Sequence, residues 1–384
     1  MPAFKDEFSP QLIEALGREL VAAWDEFPVQ TWTRLANEGL QELELLERVN
    51  HLAVTLRACL PDAFETAAPI IERLPDRDTF DGWMMLPVGY FVADAGIEHP
   101  HTALPLLAAL TPRFSSEGPI RPFIERHPEP TYVYLERWTR DRDEHVRRLV
   151  SEGTRPRLPW APQLSDIKAD PTPILPLLDG LFDDDSEYVR RSVANNLNDI
   201  SKDHPALAVE IATRWHDAST HGDYVVRHGL RSLIKKGDPA ALALLGFDHD
   251  VAIDLVELRL RPSAVRIGEA VTLEATIRSE YETRVVIDYV VHYQGARGSR
   301  SGKVFKLTTR SLAAGEPTTV RKAHKFEHVS IRTIHPGPHR IELQVNGRIL
   351  DGAAVEVLPD DRGEIRRRRR AGGADRPAPQ RPSR

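Results

Sequence analysis

One cysteine, Cys59, stands in 384 residues. A lone thiol forms no internal disulfide and supports no multi-cysteine zinc site, so a disulfide scaffold and a zinc-finger fold are both excluded. No apolar run approaches the roughly 20 residues of a membrane helix. The N-terminal MPAFKDEF lacks the basic and apolar regions of a secretory signal. These absences lead to the expectation of a soluble protein in a reducing cytoplasm. Period-2 alternation of apolar residues is almost missing before residue 250, which argues against a sheet-based N-terminal part.

What is present is divided charge. The formal net charge is -6, yet residues 1–110 hold 7 basic and 18 acidic side chains, and residues 251–384 hold 25 basic and 16 acidic. A polyanion would be repelled at one end and attracted at the other, so the whole-chain charge says little about partners. The length predicts two domains and a tail.

Ser9 and Pro10 have the residue types of an N-cap and a first helical position. Leu12, Ile13, Leu16, Leu20, Val21 and Trp24 follow at helical spacing, and similar segments recur to about residue 247. Within them, Val146-Arg147-Arg148, Val189-Arg190-Arg191 and Val226-Arg227-His228 lie 43 and then 37 residues apart. Those periods suit paired-helix repeats of the HEAT or armadillo kind, stacked as a solenoid. The expected fold is therefore mainly α, with a HEAT-like helical-repeat domain over residues 1–250. From 255 to 358 the pattern changes. Val271, Leu273, Ala275 and Ile277 alternate with polar neighbours, as do Val285, Ile287, Tyr289, Val291 and Tyr293. Ile341, Leu343 and Val345 precede Asn346-Gly347, a strong two-residue hairpin signal. About seven strands in an immunoglobulin-like sandwich are expected. Residues 359–384, with Arg366–Arg370, are too polar to bury a core and are expected to be a disordered basic tail.

Two carboxylates break a local rule. Glu152 and Asp199 fall where the helices begun at Glu144 and Glu187 should be ending, and an anion there opposes the helix dipole at about 0.3–1 kcal/mol. Such conflicts tend to mark functional sites. Read alone, Glu117 and Glu152 are solvated surface glutamates, Glu152 able to pair with Arg148 at i, i+4, and Asp199 is equally a local cap. Trp160 alone reads as a packed side chain behind the Pro156–Pro159 turn; Trp138 and Trp215 read as core.

The segments HVRRLVSEGTRPRLPW, SEYVRRSVANNLNDISKDHP and RSLIKKGDPAALALLGF resemble the AlkC branch of the HEAT-like repeat DNA glycosylases, relatives of AlkD. The likeness covers residues 1–250, and the β-domain resembles the immunoglobulin-like appendage of some AlkC proteins. It implies a monofunctional glycosylase that removes N3-methyladenine and N3-methylcytosine from double-stranded DNA with no metal and no organic cofactor. A cytoplasmic monomer acting on nucleoid DNA is the implied setting. Position by position, Glu117 matches the glutamate of the family's first motif and Glu152 that of the second. Trp160 matches the tryptophan closing the second motif, and Asp199 the aspartate of the third. Gly118-Pro119 depart from the Phe-Ala usual after the first glutamate.

The implied chemistry suits carboxylates. An N3-alkylated base is already cationic, and breaking its glycosidic bond builds positive charge on the sugar. A carboxylate beside the sugar stabilises that charge and positions or deprotonates water. No general acid is needed for a base that departs neutral. Glu117 and Glu152 are the expected first candidates, Asp199 the third, and Trp160 an expected face for the cationic base or the backbone. Arg147, Arg148, Arg155, Arg157, Arg190 and Arg191 are expected to grip phosphates along one groove. Lys and Arg of the β-domain, Arg300, Lys303, Lys306, Arg321, Lys322 and Lys325 among them, supply further positive charge. A noncatalytic DNA-binding repeat protein and a protein-binding HEAT scaffold are the competing readings. Three carboxylates together favour the enzyme, because gripping phosphate needs none.

Overall fold

The computed structural model describes residues 4–360, apart from 296–297, 300–301 and 330–331. The expected tail from residue 361 onward, with Arg366–Arg370, and Arg300 lie outside the described residues. Two compact units divide the chain, Met1–Ser232 and Leu233–Arg384. The helix Pro239–Leu244 therefore sits in the unit of the sandwich, whereas sequence alone carried the helical domain to residue 250.

The first unit is built from helices. Its first α-helix, Pro10–Ala23, starts where expected: Leu12 N donates to Ser9 Oγ at 3.4 Å, with Pro10 in the first turn. Ile13, Leu16, Leu20 and Ala23 form its buried stripe. The Val-Arg-Arg repeats open the helices Glu144–Gly153 and Glu187–Asp203. The loop before each helix closes in the same way. Asp141 Oδ1 accepts from Asp143 N at 2.9 Å, and Asp184 Oδ1 from Ser186 N at 2.9 Å. Arg147 Nη1 then donates to the carbonyls of Asp141 and Arg142, at 3.0 and 3.1 Å. Arg190 Nη1 donates likewise to the carbonyls of Asp184 and Asp185. The 43-residue period is thus a repeated set of atoms as well as letters. The third copy diverges: Arg227, in the helix Gly222–Gly229, pairs with Asp223 at 2.6 Å.

The second unit holds strands β1 Ile253–Arg261, β2 Ala264–Arg266, β3 Ala270–Ser279, β4 Thr283–His292 and β5 Gln294–Gly295. There follow β6 Gly298–Ser299, β7 Lys303–Leu312, β8 Thr318–Lys325, β9 Gly337–Val345 and β10 Arg348–Leu358. A three-stranded sheet, β1-β3-β8, accompanies a five-stranded sheet, β2-β10-β9-β4-β7, with β5-β6 a separate ribbon. The alternating residues form the core: Val271, Leu273 and Ile277 from β3 meet Val285, Ile287, Val291, Ile341 and Leu343 in one buried cluster. Asn346 and Gly347, both at positive φ, make the expected turn between β9 and β10. A side chain at Gly347 would place its Cβ 1.9 Å from the Cα of Gly237, so only glycine permits that approach. Asn346 fastens the same corner, accepting from Val286 N at 2.8 Å and donating to Asp248 O at 2.7 Å.

Candidate active site

Three peptide segments of the first unit bring the candidate carboxylates into one line. Glu117 lies in the turn before the helix Arg121–Arg126. Pro119 occupies that turn rather than the first position of the helix, which begins two residues later. Glu152 is the penultimate residue of Glu144–Gly153, and Asp199 lies one turn inside the end of Glu187–Asp203. Asp199 is accordingly not a cap.

Charges alternate along the line. Arg148 Nη1 donates to Glu117 Oε2, and Arg148 Nη2 lies 3.5 Å from Glu152 Oε1. Arg155 Nη1 donates to Glu152 Oε1 at 2.6 Å, and its Nε to Asp199 Oδ2 at 2.8 Å. Lys202 Nζ closes the row on Asp199 Oδ1 at 2.8 Å. Buried hydroxyls continue it sideways: Ser192 Oγ donates to Glu152 Oε2 at 2.6 Å, and Ser151 Oγ to Ser192 Oγ at 2.7 Å. Burial disfavours the charge of Arg148, but Glu152 and Glu117 outweigh it and hold the guanidinium above its ordinary value. Burial likewise opposes the charge of Arg155, and Glu152 with Asp199 again prevails.

The three carboxylates are not equivalent. The Glu152 side chain is 6% exposed and that of Asp199 1%, against 29% for Glu117. Both oxygens of Glu152 and both of Asp199 accept internal hydrogen bonds. Glu117 instead takes Ser115 Oγ at 2.8 Å and Arg148 on the same oxygen, Oε2. Among the described residues, its Oε1 accepts no hydrogen bond. Glu117 and Arg148 line a cleft of about 320 Å³ whose walls include Trp83, Tyr90, Phe114, Trp160 and Tyr188. Arg148 lies over the ring of Tyr188, 5.1 Å from its centroid.

Arg121 explains how an anion is tolerated at the end of Glu144–Gly153. Its guanidinium donates to Gly153 O at 3.0 Å, Arg155 O at 2.8 Å and Pro162 O at 2.6 Å. A cation thus caps the C-terminus, where the dipole favours one, and the same three bonds pin the loop that carries Trp160. Burial pulls Arg121 down to about 10. Gly153 allows the helix end to press on the Glu117 turn, since a Cβ there would meet Ile120 Cγ2 at 2.7 Å.

Trp160 is 58% exposed at φ 59°. A non-glycine residue in that region costs about 1–3 kcal/mol, and such strain tends to gather at functional positions. Its ring meets Phe4 edge-on at 5.6 Å, and Phe4 in turn lies 5.8 Å from Trp83. Arg48 fixes the N-terminal segment by donating to Lys5 O, Phe8 O, Gln41 O and Leu43 O. Trp138 and Trp215 are buried, as expected of core residues.

The arginines divide. Arg148 and Arg155 belong to the charge row. Arg147, expected to grip phosphate, spends its donors on the loop carbonyls and on both oxygens of Asp184, at 2.6 and 2.9 Å. Arg190 spends Nη1 on loop carbonyls. These contacts fasten the loops that precede the two helices. Arg157 pairs with Asp203 at 2.8 Å and Arg191 with Glu187 at 2.9 Å, the second pair on the surface. Sequence reasoning missed Tyr90, Trp83, Arg121, Ser192 and Arg48. DGWMMLP around Trp83 and the isolated Tyr90 carry no spacing that ties them to Glu117. Among the described residues, no group of three or more His, Cys, Asp or Glu side chains could hold a metal ion.

The family described as the C-terminal Ig-like domain of uncharacterised protein YhaZ matches residues 254–359. The Bacillus subtilis (strain 168) protein named "Uncharacterized protein YhaZ" is 35% identical over 361 residues, covering 93% of this chain and all of its own length. The structure of the Pseudomonas fluorescens alkylpurine DNA glycosylase AlkC, bound to DNA containing an abasic site analog, matches with TM-score 0.88 and 33% identity. That match covers 93% of this chain and 100% of the AlkC chain. A whole-chain match of this kind, on a helical-repeat unit followed by an Ig-like sandwich, places the chain in the AlkC family of HEAT-like repeat DNA glycosylases.

Proposed function

We propose that the chain is a monofunctional glycosylase that excises cationic N3-alkylated bases, N3-methyladenine and N3-methylcytosine, from duplex DNA. The observation that carries the reading is Glu117, a carboxylate with one open oxygen at an aromatic-walled cleft. In this reading Glu117 faces the deoxyribose of the lesion. As the C1′–N bond lengthens, its electron pair passes to the base, which leaves neutral, and the sugar becomes oxocarbenium-like. The negative charge of Glu117 stabilises that cation, and Oε1 takes the proton of the water that attacks C1′. Glu152 and Asp199 act at one remove, as buried counter-ions that hold Arg148 and Arg155 in place. Trp160 offers its exposed face to the cationic base or the adjoining backbone.

A monofunctional course is supported by the amines. Lyase chemistry needs a neutral nucleophilic amine, whereas Lys202 is ion-paired to Asp199, and no lysine is among the residues lining the cleft. For the DNA backbone, Arg191 is the accessible member of the arginine set, 60% exposed; Arg157, paired with Asp203, is 27% exposed.

The test is release of free base from methylated duplex DNA, followed by chromatography. The expected products are N3-methyladenine, N3-methylcytosine and an abasic strand left uncut. A protein that binds the duplex but frees no base would overturn the reading in favour of a noncatalytic DNA-binding repeat protein.

A further inference from the structure

Tyr90 belongs to the helix Met85–Ala95, and nothing in the reading above uses it. Its ring lines the cleft beside Glu117 and Gly118. The hydroxyl stands over the Cα of Gly118: a Cβ at that position would meet Tyr90 Oη at 2.6 Å, Cζ at 3.3 Å and Cε2 at 3.7 Å. Any side chain at 118 would therefore push the phenol away. Gly118 also stands where the family's first motif usually has phenylalanine, so the glycine and the tyrosine fit one another.

Two polar atoms are left over at this spot. Among the described residues Tyr90 Oη has no hydrogen-bond partner, and neither has Glu117 Oε1, because Ser115 and Arg148 both use Oε2. The phenol is half-buried beside a carboxylate. Burial first, and the Glu117 charge second, raise its pKa, so the hydroxyl keeps its proton at neutral pH and remains a donor as well as an acceptor. A hydrolytic site needs its water held by two groups at once, one to accept the proton and one to fix the lone pair toward the reacting carbon.

We propose that Tyr90 Oη, seated where Gly118 has no side chain, is the second anchor of the attacking water, fixing it against Glu117 Oε1. Tyr90 donates to the water oxygen, Glu117 accepts one of its protons, and the other lone pair of that oxygen forms the bond to C1′. The bond to the base breaks as this one forms, with the proton resting on Glu117 until it exchanges with solvent. The proposal rests on the glycosylase reading, and it adds a group that makes no contact with the base.

The experiment measures single-turnover excision and, separately, affinity for a duplex carrying an abasic-site analogue. Tyr90→Phe removes one oxygen and keeps the ring. It should slow excision about tenfold while leaving affinity unchanged. Gly118→Ala, whose methyl displaces the hydroxyl, should cause a loss of similar size. The double variant should be no slower than the slower single one, since both remove the same contact. Excision by Tyr90→Phe at the wild-type rate would overturn the proposal. So would a parallel loss of rate and affinity, which would mark a packing role, or fully multiplicative effects in the double variant. A wild type that frees no base would instead overturn the glycosylase reading, and this inference with it.

Discussion

The two units bury polar groups by opposite means. In the helical unit the buried polar groups of the site are charged: Glu152, Asp199, Arg155 and Arg121 are all inside, with Arg148 close behind. In the sandwich burial shifts the titratable groups toward their neutral forms. His324 lies between the phenols of Tyr289 and Tyr293, at 3.2 and 3.0 Å, and burial keeps it down to about 4. Burial pushes Asp288 up to about 6. Neutral groups cost less to bury than charged ones, and a sandwich that needs only a core uses them. Buried ion pairs are poor sources of stability, because desolvation consumes most of the attraction. A row of them where Glu117 meets the cleft is therefore explained by what it positions.

That contrast can be broken most heavily at Asp199. Asp199→Ala would leave Arg155 and Lys202 facing each other with one counter-charge fewer. Losing one member of a buried pair costs about 3–5 kcal/mol, and urea unfolding of the helical unit should report a loss of that order. A variant as stable as wild type would mean that the row is solvated in solution.

In the sandwich the expected effects are pH-dependent and of opposite sign. His324 has a folded pKa below its unfolded value near 6.5, so its contribution is present above pH 6.5 and lost as pH falls toward about 4. Asp288 has a folded pKa above its unfolded value near 3.8, so its contribution is present below that pH and lost as pH rises through about 6. Each is worth about 3 kcal/mol, and in wild type the two largely cancel between pH 4 and 6. Asp288→Asn should uncover the acid-sensitive half: protection of the β4 amides against exchange, corrected for the intrinsic rate at each pH, rises at pH 7 and falls as pH drops below 6. An unchanged pH profile in this variant would contradict the assigned burial.

The smallest effect separates strain from chemistry at Trp160. With φ at 59°, Trp160→Gly should be more stable than Trp160→Ala by about 1 kcal/mol, although both remove the indole and should lose the same activity. Equal stabilities would show that the loop relaxes in solution.

Much of the scaffold was legible in the residues. Period-2 alternation located β3, β4 and β9, and Asn346-Gly347 the turn after β9, because a half-buried strand writes its two faces into the sequence. Val-Arg-Arg marked two repeats because the same loop must be closed twice; that Arg147 and Arg190 donate to loop carbonyls was not legible, since a donor to a carbonyl and a donor to a phosphate look alike in sequence. Glu152 and Asp199 stood out by their place in the helix, but their burial did not, as it depends on contacts between segments, Ser192 on Glu152 and Arg155 on Asp199. Tyr90 was invisible for the same reason: its meaning lies in the missing side chain of Gly118, 28 positions later. The division at residue 232 is not legible in the residues, because the helix Pro239–Leu244 is written like any other helix of the first unit.

In the proposed mechanism one open carboxylate works while two buried ones hold its surroundings. Single-turnover excision of N3-methyladenine by Glu117→Gln, with affinity for an abasic-site duplex measured alongside, tests it most directly. The expected result is a rate lower by about 10²–10³ with affinity unchanged. Excision by Glu117→Gln at the wild-type rate would contradict it.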